Sequence, residues 1–286
     1  MNRIILSILL LLLWRPFSAE AVIFPTRLRC ENLSNPQVVD IVKPRLSWVN
    51  VAGEGERGQV QTAWEIRVAG TSEKLLNGQA DLWNSGKVNS SQSVNVIYNG
   101  KTLTSRQNCW WQVRTLDNRG IVSDWSEPAF WCMGLLDPGE WKAEWIGAPW
   151  QGEEPTPDPV MNENRQMTLK EVPPPAPLLR KQININKEIK EARAFVTGLG
   201  YFEFHVNGKK VSDDVLIPNQ TNYGKRPGLE IGSIPLPDDF SEYRVMYLSY
   251  DITDLLEKGE NVLGAIGGNG FYSVPYRWTE SCGTRR

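Results

Sequence analysis

The chain has 286 residues, a formal net charge of −2, 12 Trp, 19 Pro, 4 Cys and a single His. That length is enough for about two domains, each burying its own core. The balance of 31 Lys+Arg against 33 Asp+Glu excludes a nucleic-acid binder living on phosphate contacts, and the lone His205 excludes a multi-His metal site and disfavours a Ser-His-Asp triad.

Residues 1–21 read as a secretory signal peptide. Arg3 supplies the positive start, Ile4 to Trp14 the apolar run, and Ala19-Glu20-Ala21 the small-x-small cleavage pattern. The apolar run is shorter than the roughly 20 residues of a spanning helix. A cleaved leader, rather than an uncleaved anchor, gives a mature chain from Val22, exported to the periplasm or medium, with no membrane contact afterwards.

Residues 22–135 read as a β-sandwich of immunoglobulin or fibronectin type III character. About seven short strands are separated by turn clusters, with no helical period. Ala63 to Ala69 alternates so that Trp64, Ile66 and Val68 share a face; Ser93 to Val96 repeats the pattern; Cys109 to Asp117 aligns Cys109, Trp111, Val113 and Thr115. Ten of the tryptophans fall between Trp48 and Trp150. Trp48, Trp64 and Trp111 belong to a core by alternation, whereas Trp141, Trp145 and Trp150 lie on a connector, where packing competes with sugar stacking. Cys109 and Cys132, on adjacent strands, are either a facing pair or buried free thiols, and the absence of C-x-x-C excludes zinc-ribbon and thioredoxin-like chemistry.

Residues 136–177 form a Trp- and Pro-rich connector whose composition builds no core. Strands resume over 178–272. Asn207-Gly208 between two alternating runs is a hairpin turn. Leu255 to Lys258 reads as one helical turn capped by Asp251 or Thr253 and stopped at Gly259. The second unit is expected to be a jelly-roll sandwich, making the whole all-β. Gly264-Ala265-Ile266-Gly267-Gly268-Asn269-Gly270 lacks the following helix of a nucleotide loop and reads as a tight turn needing positive φ.

No defensible catalytic constellation emerges. Asp213-Asp214 and Asp238-Asp239 are sequence neighbours that point apart on a strand, unlike the opposed carboxylates of a glycosidase. His205 faces away from the Phe202, Phe204, Val206 stripe, beside Glu203. Asn207, Asp213, Asp214, Asn219 and Asn222 are a candidate calcium set of oxygen donors without EF-hand spacing; no other metal or cofactor is expected.

Several ordered strings resemble one family. They are Pro44-Arg45-Leu46-Ser47-Trp48, Trp83 to Val88, Trp110 to Arg114, Ser123-Asp124-Trp125-Ser126-Glu127, Met133 to Leu136 and Trp141 to Gly147. Beyond the connector follow Ala192-Arg193-Ala194, Gly198 to Tyr201, Val206 to Val211, Tyr250 to Leu256, Gly259 to Val262 and Gly268 to Tyr272. Together they resemble the front of bacterial α-L-rhamnosidases of glycoside hydrolase family 78. The resemblance implies a fibronectin-like domain followed by an N-terminal jelly roll that in some relatives binds rhamnose, sometimes with calcium. A rhamnose-containing glycan is the implied partner, met by Tyr201, Asn222, Tyr223, Asn269, Phe271 and Tyr272. Relatives usually carry a Trp before Thr and an Asp before Tyr where this chain has Pro218 to Tyr223, a departure at positions near the expected sugar. Gly228 to Tyr243 reads as an insertion, and the likeness stops after Tyr272, leaving 273–286 as a divergent tail. The family's catalysis lies in a helical (α/α)6 barrel, and no long helical period exists here to supply it. The expectation is therefore an accessory part without catalytic residues, its barrel missing or separately encoded; the alternative is a stand-alone carbohydrate-binding or structural module.

Overall fold

The computed structural model describes residues 23–148, 160–161, 167–168, 176–221, 230–231, 234–235, 245–268 and 270. The chain divides into two units, Met1–Trp141 and Lys142–Arg286.

The first unit is a seven-stranded sandwich. One sheet runs β1-β2-β5 (Ile23–Cys30, Arg45–Ala52, Val96–Ile97) and the other β4-β3-β6-β7 (Trp83–Asn84, Gln61–Ala69, Asn108–Asp117, Ala129–Cys132). All ladders are antiparallel, and the longest pairs β3 with β6 from Gln61↔Asp117 to Ala69↔Trp110. Alternation drives the fold: the inward positions of β3 and β6, Trp64, Ile66, Val68, Trp111 and Val113, are all buried.

The tryptophan excess is chiefly this core. Trp48, Trp64, Trp83, Tyr98 and Trp131 form a run of edge-to-face rings with centroids 5.9, 6.5, 5.4 and 5.9 Å apart, the arrangement favoured by ring quadrupoles. The indole Nε1 of Trp48 donates to the buried Gln61 side chain at 3.0 Å. Gln61 also accepts from Asn50 and donates to the carbonyls of Ser90 and Gln92, which satisfies it fully.

Two features differ from the sequence reading, and one alternative it left open is resolved. A five-residue helix, α1 (Ser72–Leu76), stands among the strands. Thr71 caps it by accepting from Lys74 N, and it buries Leu75; it is too short for a periodicity to show. The Ser93–Val96 strand shrinks to Val96–Ile97, because Asn95 takes a φ of 55°. Cys109 and Cys132 do not face one another. Cys109 pairs with Trp131 and Cys132 with Asn108, so their side chains leave opposite faces of the sheet. Cys30 and Cys109 are buried free thiols, pushed far up by that burial, and Cys132 is buried as well. Cys282 lies outside the described residues.

The second unit is built on the sheet β10-β17-β12-β13 (Leu178–Ile185, Gly259–Gly268, Tyr201–Val206, Lys209–Lys210) and the pair β11-β16 (Arg193–Thr197, Tyr247–Asp251). Two short ladders accompany them, β8 (Val160–Met161) with β9 (Met167–Thr168) and β14 (Glu230–Ile231) with β15 (Ile234–Pro235). Phe202, Val206, Tyr250 and Ile252 form the core, flanked by Phe204, Leu248 and Leu263. The Asn207-Gly208 hairpin is present with both residues at positive φ, 50° and 79°, the geometry of a type I′ turn. Its second strand ends after two residues, since Ser212 and Asp214 turn on each other instead of pairing. The turn near Leu255 is a 3-10 turn over Thr253–Leu255 that starts earlier than the sequence suggests. Asp251 accepts from Thr253 N and Oγ1, while Gly259 at φ 106° opens β17.

Candidate functional site

The Tyr201 end of the second unit collects the described part of the expected sugar site. Tyr201 opens β12 and pairs with Gly268 near the far end of β17. Two glycines explain why the sequence folds this way. A Cβ on Gly267 would stand 2.8 Å from Cγ of Pro177, whose carbonyl accepts from Gly267 N at 2.8 Å. A Cβ on Gly270 would lie 2.9 Å from Gly200 Cα, and Gly270 takes φ 52°. The glycine string thus serves close backbone approach on two sides, with a positive φ at Gly270 rather than through the string.

Gly270 therefore sits against Gly200-Tyr201. Tyr201 is half-buried. Asn222, Tyr223, Asn269, Phe271 and Tyr272 lie outside the described residues, as do Asp238 and Asp239.

Tyr201, Glu203 and His205 alternate on the face of β12 opposite Phe202, Phe204 and Val206, as the sequence pattern places them. Glu203 accepts from Lys210 Nζ at 2.8 Å and lies 3.6 Å from His205 Nε2. The hydrogen bond from Lys210 is the main cause holding the Glu203 carboxyl below the usual range. A carboxylate so held is a hydrogen-bond acceptor for hydroxyls, not a proton donor.

Of the calcium set, Asn207 is engaged elsewhere. Asn207 donates to Leu255 O at 2.9 Å and Asn261 Oδ1 at 2.8 Å, and its Oδ1 accepts from Val262 N at 2.8 Å. Both ends of its amide are committed to the fold. Asp213 and Asp214 are exposed, and among the described residues no group of three or more His, Cys, Asp or Glu is placed to hold a metal.

Elsewhere among the described residues the perturbed carboxyls are all pushed down. Arg45 does this to Glu31 and the Ser105 hydroxyl, with Arg106, to Glu140. At Asp81 and Asp251 burial pulls upward, and hydrogen bonds from Lys74 and Thr253 respectively overcome it. None has the raised pKa of a glycosidase acid.

Comparison with known proteins follows the same division. Residues 25–137 match the profile of the Rha78A-like, N-terminal immunoglobulin domain, and residues 187–234 and 227–285 that of the alpha-L-rhamnosidase N-terminal domain. The second match runs past Tyr272, and its two segments overlap over 227–234, at the start of the stretch from Gly228 to Tyr243. An alpha-L-rhamnosidase of Formosa agariphila is 36% identical over 292 residues, which cover 97% of this chain and 28% of that enzyme. The solved alpha-L-rhamnosidase of Dictyoglumus thermophilum superposes with a TM-score of 0.69 at 33% identity, over 87% of this chain and 25% of its own. That of Streptomyces avermitilis, complexed with L-rhamnose, gives 0.68 at 22% identity over 87% and 37% respectively, a likeness of fold. The chain thus spans about a quarter to a third of the proteins it matches.

Proposed function

Because this chain belongs to the α-L-rhamnosidase family, as the portion carrying its N-terminal immunoglobulin and N-terminal rhamnosidase domains, we propose that it is the accessory, substrate-recognising front of such an enzyme. The parent activity is hydrolysis of terminal α-L-rhamnose from plant or bacterial glycans. The observation that carries this reading is the collinear match of both units, in the same order, to enzymes of that one activity.

Inverting hydrolysis needs a carboxylic acid to protonate the leaving oxygen and a carboxylate to activate water across the bond. Among the described residues the carboxyls with perturbed pKa values are held as anions by neighbours, and on this reading a barrel that this chain serves supplies the acid. Recognition of rhamnose is assigned to Tyr201 with Asn222, Tyr223, Asn269, Phe271 and Tyr272. Residues 1–21 direct export to the periplasm or medium, which suits a glycan substrate.

The test uses the purified chain. An aryl α-L-rhamnoside should release no phenol above buffer, and calorimetric titration with L-rhamnose should give a dissociation constant of about 1 mM that Tyr201→Ala weakens. Turnover of the aryl glycoside overturns the accessory role. Absence of heat up to about 10 mM overturns the recognition role.

A further inference from the structure

We propose that the first sandwich carries a cleft of its own for a neutral saccharide, at its open edge between β4 and β5. These are the edge strands of the two sheets, and the chain crosses from one to the other through residues 85–95. Beside the crossing segment lies a cavity of about 360 Å³, within the size range of small-ligand sites.

The lining has the chemistry of a sugar and of little else. Trp83, half-buried, and Trp64 behind it form an aromatic wall that Val88, Val96 and Ile97 extend. Around the mouth stand Ser85, Gln92, Asn95 and Asn99. Not one lining residue is charged. A phosphate, carboxylate or nucleotide would find no cation, and a metal ion no carboxylate. A neutral saccharide presents what this surface lacks: hydroxyls for the amides and an apolar C–H face for the indole.

The polar groups are also available. The amides of Asn95 and Asn99 make no side-chain hydrogen bond to the described residues. Gln92 donates to the carbonyls of Val94 and Asn95, at 3.0 and 3.3 Å, which leaves its Oε1 as an acceptor. Trp64, 6% exposed, has a buried Nε1–H with no acceptor among the described residues.

The rim is built before any ligand arrives. Trp64 and Val88 exchange backbone hydrogen bonds at 3.0 and 2.9 Å, Trp48 N donates to Ser93 O, and Asn95 N donates to Ser47 Oγ. The buried Gln61 side chain holds the carbonyls of Ser90 and Gln92 from below. Such pre-formation lowers the ordering cost of binding. The cleft lies wholly within the first unit, so this proposal stands apart from the reading of the Tyr201 end.

The experiment is a nuclear magnetic resonance titration of the full chain, labelled at its indole nitrogens. The probes are L-rhamnose, D-glucose and cellobiose, with D-glucuronate and inorganic phosphate as charged comparators. Trp64→Phe and Trp83→Phe assign the two indole signals. At least one neutral probe should shift both signals with a millimolar dissociation constant. Asn99→Ala, at an exposed side chain without partners, should weaken that binding about five- to tenfold, while Tyr201→Ala leaves it unchanged. Ile97→Asp, also exposed, should weaken it by removing an apolar part of the wall that meets the C–H face of the sugar. The proposal is overturned if no neutral probe shifts either signal up to about 50 mM. It is equally overturned if only the charged probes do, or if the shifts survive Asn99→Ala and Ile97→Asp.

Discussion

The guanidinium carbon of Arg67 lies 3.6 Å from the centre of the Trp125 ring, with the guanidinium of Arg114 at 4.7 Å on the same indole. Arg114 in turn reaches Glu65 at 2.6 Å. Glu65 and Arg114 are paired across the β3-β6 ladder, so Trp125 clamps the outside of that sheet. The Ser123 to Glu127 string completes the clamp: the Ser123 hydroxyl accepts from Thr115 N, and that of Ser126 from Val113 N. Trp125→Ala should therefore destabilise the first unit by about 2 kcal/mol, and Arg67→Lys by about 1 kcal/mol through loss of the planar stack. Urea unfolding followed by circular dichroism measures both, and equal effects of Arg67→Lys and wild type would refute the clamp.

In the second unit the comparable tie is polar and internal. Asn261 is fully buried; its Oδ1 accepts from Asn207 and Glu257 N, and its Nδ2 donates to the carbonyls of Glu257 and Gly259. Asn261→Leu strands those partners and should cost about 2–4 kcal/mol. Asn261→Asp keeps the acceptors and loses the donors, so it should fall between the two. Thermal unfolding of the three proteins orders them.

A pH dependence follows from Glu31. Its carboxyl receives the Arg45 backbone N–H at 2.6 Å and the guanidinium at 2.5 Å, and the Arg45 hydrogen bonds hold it below the ordinary carboxylate value. A group lowered on folding adds stability that is complete above its unfolded pKa of about 4.3 and is lost as pH falls through the lower folded value. The urea midpoint of the wild type should therefore drop between about pH 5 and pH 3. Glu31→Gln should be less stable at neutral pH and show a shallower acid limb. Identical limbs in the two proteins would exclude Glu31 as a contributor.

Most of the framework was legible because it is written in alternation. Trp64, Ile66 and Val68 face inward on a period of two, and the Asn207-Gly208 turn needs only two residues to declare itself. The failures have local causes. A five-residue helix capped by Thr71 is shorter than the period that would reveal it. The end of the Ser93–Val96 run depends on Asn95 adopting a left-handed backbone, which no neighbour in sequence dictates. The choice left open at Cys109 and Cys132 turns on a one-residue offset in register, which sends the two thiols to opposite faces. Asn207 looked like a cation ligand because composition supplies oxygen donors without saying which are already engaged. The edge cleft was hidden for the opposite reason: Trp83 reads as one more strand aromatic, and only the crossing of residues 85–95 sets amides around it. Among the expected sugar residues, Tyr201 is the one whose surroundings the structure describes, and what placed it was the glycine string beside it.

The edge-to-face run from Trp48 to Trp131 has an optical consequence. Trp48, Trp64 and Trp83 stand 5.9 and 6.5 Å apart in succession, close enough for their indoles to pass excitation among themselves, whereas Tyr98, whose excited state lies above that of tryptophan, ends the relay toward Trp131. Light absorbed at the buried Trp48 can leave from Trp83 at the mouth of the edge cleft. Quenching at that single rim would then dim the emission of three indoles at once.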